Sequence, residues 1–283
     1  MFTLAQTLKL GIPQHLRYQR VAWTLNRLTS TSSHDASTPV TATNRVEATL
    51  KRFWKTVDLE EREGSLSITL DSRPLKTPGG KPLLLPCSKR LSATLIVTEW
   101  ENQHSVLKSY ALPMTSLAAR VIDSMNEAGT RADVRKALLN YLDTDTVCFH
   151  QDYPDPLVRL QNKHWDPLLT WARDTFDVEL LTTTSVLFSA QPKDTKKKLD
   201  QALQNLDPWQ MAAMERATYT TKSFITALAL IHGHITAEQA ALVAQVEVAS
   251  QIERWGEVED SHDVDYYDVR RHIGSAACLL ASI

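Results

Sequence analysis

The hydrophobic period of the chain changes once, near Pro86, and that change restricts it to a small sheet followed by helices. Before Pro86 the period is two. Phe53, Lys55 and Val57 share one side of an alternating run, and Leu66, Ile68 and Leu70 are interleaved with Ser65, Ser67 and Thr69, as half-buried strands require. Turn chemistry separates these runs at Glu63-Gly64, at Asp71-Ser72-Arg73-Pro74 and at Pro78-Gly79-Gly80, where glycine permits the positive φ of a tight hairpin. A small antiparallel sheet is predicted.

After Pro86 the period becomes helical. Ser88 is a candidate N-cap for a helix carrying Leu91, Leu95, Ile96 and Trp100 on one face. Leu117, Val121 and Met125 predict a second helix, and Thr130-x-x-Asp133 before Val134, Leu138 and Leu142 predicts a third. From Asp143 onward helices dominate, apart from extended pieces expected at 146–149 and 178–183. Pro156, Pro167, Pro192 and Pro208 each suit a first helical turn, where a missing N–H leaves no bond unmade. A helix over 222–231 should end at Gly233. The box Thr236-x-x-Gln239 should open one long helix burying Ala241, Ala244, Val248, Ile252 and Trp255. A last helix is expected over 266–281, with Ile273, Ala277 and Leu280 inward. The predicted fold is α+β at the N-terminal end, a small antiparallel sheet with helices, followed by an all-α helical C-terminal domain.

The first 34 residues differ in kind. They carry Lys9, Arg17, Arg20 and Arg27 and no acidic residue before Asp35, among many Ser and Thr, a mitochondrial targeting composition. The expected organisation is therefore a targeting segment over 1–34, a linker over 35–50, an α/β domain over 51–142 and a helical domain over 143–283. Without the four leader cations, 27 basic residues face 33 acidic ones, so no nucleic-acid partner is expected. No apolar run approaches the roughly 20 residues of a membrane span. Cys87, Cys148 and Cys278 are dispersed and imply neither a disulfide framework nor a zinc site.

Catalytic motifs are absent: there is no Gly-x-Ser-x-Gly, phosphate loop, dinucleotide fingerprint or His-Glu-x-x-His. Neither enzymatic activity, a cofactor nor a small-molecule substrate is expected. Cys148, between Val147 and Phe149, reads as core and not as a nucleophile. His232 and His234 read as structural. One alternative is a metal-dependent hydrolase using His262, Asp263 and Asp265, because closely spaced carboxylates sometimes converge on a hard cation. The feature that survives is electrostatic. Between Glu247 and Asp268 stand eight acidic residues against Arg254 alone, a surface suited to a basic, partly apolar protein patch.

Seven blocks in series, Arg52-Phe-Trp-Lys55, Leu70–Pro78, Glu99-Trp100, Leu112–Ala118, Thr144–Phe149, Trp165–Leu169 and Gln251–Gly256, resemble the mitochondrial ATP synthase F(1) assembly factor 2 family, of ATP12 type. The resemblance covers residues 52 to about 283. It implies an α/β part followed by a helical part, residence in the mitochondrial matrix, and a chaperone that binds the unassembled alpha subunit of the F(1)-ATPase, preventing its aggregation until the beta subunit associates. It also implies that Glu253 is the family's important acidic position. With Gln251, Trp255 and Glu257 it forms the expected partner-binding set, whereas Trp100, Trp165 and Asp166 are expected to be structural.

Overall fold

The computed structural model describes residues 51–185, 190–258 and 260–282. The targeting segment and the linker lie outside the described residues.

Four antiparallel strands form the sheet: β1 Val57–Arg62, β2 Ser65–Leu70, β3 Arg73–Pro74 and β4 Leu84–Pro86. β2 is central, pairing with β1 along its whole length and with β3 and β4 on its other edge. That position explains one departure from the alternation: Ser67 and Thr69 are buried along with Leu66, Ile68 and Leu70. Two hairpins turn through consecutive positive φ values, Glu63-Gly64 at 49° and 76° and Asp71-Ser72 at 47° and 63°, the conformation that matches strand twist in a two-residue loop. The strand expected from Phe53 starts only at Val57. Asp71 intervenes, its Oδ1 accepting from the N–H groups of Lys55 and Thr56, each at 2.9 Å, and the main-chain bonds hold its carboxyl below the usual range.

Helix α1 (Arg90–Glu101) follows a 3-10 turn and is not capped by Ser88. It buries Ala93, Ile96 and Trp100. Helix α2 (Pro113–Arg120) continues into a π turn over Val121–Met125, and Leu117, Val121 and Met125 all face the core. Helix α3 (Ala128–Tyr141) starts before Thr130, so the predicted box is not its cap. The expected extended pieces meet only in an isolated parallel bridge, Phe149 to Thr183, and 146–148 is a 3-10 turn.

Helices α4 (Asp155–His164), α5 (Asp166–Phe176), α6 (Lys193–Gln204) and α7 (Pro208–Thr221) begin at or next to the four prolines. Helix α8 (Phe224–Ile231), capped by Ser223, is buried from Phe224 through Leu230 and sits at the centre; Gly233 follows it with φ 67°. Thr236 caps helix α9 (Ala237–Ala244) in a full capping box. The long helix predicted from that box breaks at Gln245, and helix α10 (Val246–Trp255) starts afresh. Trp165 is bonded at the break. Its indole Nε1 donates to the Val243 carbonyl at 3.1 Å, an acceptor that an unbroken helix would offer to the N–H of residue 247. Helix α11 (Ser261–Leu280) starts five residues earlier than expected and buries Ile273, Ala276 and Leu279 most deeply, with Ala277 and Leu280 partly buried against the same core.

One hydrophobic core runs through the sheet and the helices, on both sides of residue 142. Lys89, just before α1, ties the sheet–helix part to the C-terminal end of the described chain, donating from Nζ to the carbonyls of Leu279, Leu280 and Ala281 at 2.9, 3.2 and 3.3 Å, the unpaired acceptors at the end of α11.

Candidate functional site

Six of the seven blocks make their main contacts within the chain, although Phe53 of the first is 77% exposed. The Arg52 guanidinium donates to the carbonyls of Glu101 and Gln103 at 2.9 and 2.7 Å, and the Trp54 ring packs 5.0 Å from that of Trp100. The Glu99 carboxylate accepts from the N–H groups of Met114 and Thr115 at 2.6 and 2.9 Å, capping α2, while Trp100 Nε1 donates to Thr115 Oγ1 at 3.0 Å. Trp100 therefore locks α1 onto α2 and Trp54. Asp71 and the Leu70–Pro78 block form the hairpin. Trp165 is buried and bonded to Val243; Asp166 opens α5 with its carboxylate 3.9 Å from His150.

The Thr144–Phe149 block centres on Asp145, which sequence reasoning missed. Its carboxylate is fully buried and accepts from the N–H groups of Val147 at 3.1 Å and Ile225 at 2.9 Å, so it anchors the start of α8 from 80 residues away. Desolvation, stronger than these bonds, raises its pKa to about 6. Cys148 beside it is buried, and its thiol is pushed far above the ordinary range.

The seventh block, Gln251–Gly256, ends α10 and faces outward. Trp255 is 69% exposed and Tyr153 65% exposed. The Arg254 guanidinium lies 5.0 Å from the Trp255 ring centroid and 5.5 Å from that of Tyr153 and donates to the Tyr153 hydroxyl at 3.3 Å. This sandwich holds two aromatic rings in place on the surface. Beneath it a notch of about 270 Å³ is lined by Pro154, Leu157, Gln251, Arg254 and Trp255. The expectation that Trp255 closes a buried stripe is overturned: after the break at Gln245, Val246 and Ser250 are the buried residues of α10.

Glu253 points toward α4, where Arg159 Nη2 donates to it at 2.5 Å. Both side chains are about half exposed, so the pair contributes on the order of 0–1 kcal/mol. Glu257 is exposed just beyond the helix. Structure thus gathers Gln251, Glu253, Trp255 and Glu257 at one end of α10 and adds Tyr153 and Arg159, which no local pattern signals.

His262, Asp263 and Asp265 do not converge. All three lie in the first turns of α11, where roughly 100° per residue sets Asp263 on a different side from His262 and Asp265, and His262 Nδ1 accepts from the Val258 N–H at 3.0 Å. Among the described residues no group of three or more His, Cys, Asp or Glu is arranged to hold a metal. A cavity of about 470 Å³ between α2, α7 and α11 contains Arg120 and Glu215 joined by two bonds of 3.0 and 2.9 Å. His232 and His234 pack on Trp171, the latter stacked at 4.7 Å. No described helix is long and apolar enough to cross a membrane.

Residues 51–173 match the family described as ATP12 chaperone protein. The chain is 32% identical over 245 residues to Protein atp12, mitochondrial, of Schizosaccharomyces pombe, covering 82% of this chain and 83% of that one. It is also 32% identical over 278 residues to Protein ATP12, mitochondrial, of Saccharomyces cerevisiae, covering 84% and 86%. The crystal structure of Atp12 from Paracoccus denitrificans is similar with a TM-score of 0.69 at 30% identity, over 82% of this chain and 97% of that chain.

Proposed function

Because the chain belongs to the ATP12 chaperone protein family, we propose that it is a mitochondrial assembly chaperone of the F(1)-ATPase that binds the unassembled alpha subunit in the matrix. An unpartnered subunit of an obligate complex exposes a broad apolar interface that aggregates unless covered. The cover must be exchangeable. Contacts through a few exposed side chains on a rigid support meet that need, since a handful of aromatic and arginine anchors carry most of the energy of such an interface.

The observation that carries the proposal is the outward-facing end of α10, where Tyr153, Arg254 and Trp255 form a preorganised surface flanked by Gln251, Glu253 and Glu257. Glu253 acts through the pair with Arg159: a basic group on the client competes for the carboxylate and is steered by the surrounding acidic charge. Residues 1–34 are the targeting segment in this reading.

The test is co-isolation. Purified chain is mixed with free alpha subunit or with assembled F(1); capture of the free subunit alone is expected, and capture of neither, or of whole F(1) equally well, overturns the reading. A Glu253→Lys variant should fold, because it replaces an exposed ion pair with an exposed contact of like charges at a cost of about 1 kcal/mol, yet bind the client more weakly. Unchanged binding removes Glu253 from the contact.

A further inference from the structure

Helices α4 and α10 differ from the core helices in where they are buried. Leu160 and Gln161 lie in the last five residues of α4, and Val246 and Ser250 in the first five of α10. That end is the root of the pair. There the Trp165 indole bonds the Val243 carbonyl at 3.1 Å, and Arg270 of α11 donates to Gln245 Oε1 at 2.7 Å while Glu238 of α9 holds it at 2.7 and 3.0 Å. Toward the other end no residue from 151 to 159 is buried, nor any described residue from 251 to 272. The outer halves are tied to each other instead. Arg159 donates to Glu253 at 2.5 Å, and Arg254 donates to the Tyr153 hydroxyl at 3.3 Å with its guanidinium against both aromatic rings. Beyond their mutual contact the two helices meet the fold mainly through α5 and α9, which continue from their roots. On the side toward α11 an open groove of about 390 Å³ separates them from Tyr266. At the tip, Gly256 leaves α10 with φ 86° and ψ 167°, a conformation reserved to glycine.

We infer that α4 and α10 form a lever, rigid within itself, that swings on its root at Trp165 and Gln245 and is fixed in one position when the client engages its tip. The ground is the distribution of burial. Apolar area removed from water sets much of the cost of displacing an element, and the outer halves have only partly buried side chains such as Leu157 and Ile252 to lose. The main-chain hydrogen bonds of each helix are internal, so none has to break for the pair to tilt at its terminal residues. The ties between α4 and α10 keep the Tyr153–Arg254–Trp255 surface intact during the swing. What changes is its distance from α11, whose residues 263–267 are exposed on every side. A client that touches the lever tip and Tyr267 together favours one separation of the two, and only such differential contact fixes a moving element. Positions outside that separation lower the apparent affinity, which suits a cover that must be exchanged. The fixing by a client rests on the reading of the chain as the alpha-subunit chaperone; the swing does not.

The test is pulsed electron-spin distance measurement on the full chain, with nitroxides carried by unnatural residues so that Cys87, Cys148 and Cys278 stay as they are. A pair at Asp155 and Thr94 spans lever and core, a pair at Asp155 and Glu247 lies within the lever, and a pair at Thr94 and Lys136 lies within the core; every one of these positions is exposed. In the free chain the lever–core distribution should be about twice as wide as the other two, and saturating free alpha subunit should narrow it to their width. Arg270→Ala, which frees Gln245 at the root, should widen the lever–core distribution further, leave the within-lever one unchanged and weaken client binding about two- to fivefold. A lever–core distribution as narrow as the core pair in the free chain overturns the inference. So does a within-lever distribution that widens along with it, which is local unfolding and not a swing, or a lever–core distribution that the bound subunit leaves wide. If the free alpha subunit does not bind while the lever–core pair alone is wide, the chaperone reading falls, and with it the client's part in fixing the lever, while the swing itself stands.

Discussion

Replacing Asp145 by Asn separates charge from shape at the deepest carboxylate of the described fold. The side chain is fully buried, accepts from the N–H groups of Val147 and Ile225 within 3.1 Å and also from the Phe224 N–H and the Ser223 hydroxyl, and among the described residues forms no ion pair. Burial dominates and raises the carboxyl from 3.8 to about 6, which at about 1.4 kcal/mol per pH unit corresponds to roughly 3 kcal/mol between its protonated and ionised forms. The sign follows from proton binding. Between pH 4 and 6 the folded chain holds a proton that the unfolded chain has released, so the contribution of Asp145 is most favourable below pH 4, declines as pH rises through 6 and is level above. Asn does not titrate. Its oxygen accepts from one side of the donor set while its amide group confronts a main-chain N–H on the other, at a cost of about 1–3 kcal/mol. Urea denaturation of both proteins from pH 4.5 to 7.5, followed by tryptophan fluorescence, cancels the other titrating groups in the difference. The wild type should be more stable by about 2 kcal/mol near pH 4.5, and that margin should shrink or reverse by pH 7.5. A margin independent of pH, or one that widens as pH rises, refutes the reasoning.

Trp165→Phe removes the bond at the α9–α10 break and part of a buried ring, so unfolding should become easier by about 2–3 kcal/mol in denaturant titration. It should also weaken client binding, because α10 carries Trp255. Gly79→Ala places a Cβ 2.6 Å from Asp123 Oδ1 and must displace the carboxylate that accepts from Thr77 Oγ1 at 2.6 Å and from the Gly79 N–H at 2.9 Å; a loss of about 1–2 kcal/mol is expected by thermal melting. Trp255→Ala should leave the melting temperature within about 2 °C of wild type, because the ring is largely exposed. The same change should lower affinity for the free alpha subunit by about tenfold or more in a titration.

What the sequence alone determined is what neighbours within a few residues decide. The change of period at Pro86, the Glu63-Gly64 and Asp71-Ser72 hairpins, the prolines opening α4 to α7, the Thr236 capping box and Gly233 after α8 all depend on local φ, ψ and cap geometry, and all are present. The resemblance blocks were legible too, but the reason for most of them was not. Glu99 reaches 15 residues to cap α2, Trp165 reaches 78 to bond at the helix break before Gln245, and Asp145 reaches 80 to anchor α8. No periodicity encodes such pairings, because they exist only once the chain has brought distant segments together.

The same holds for exposure. Helical spacing placed Trp255 on a plausible inward stripe, and only the tertiary break rotated it outward beside Tyr153. Periodicity tells which side chains share a face; whether another element covers that face is decided by how the helices pack. For this chain, composition and local pattern determined the architecture, and packing decided which of its aromatic and acidic side chains remain free to meet another protein.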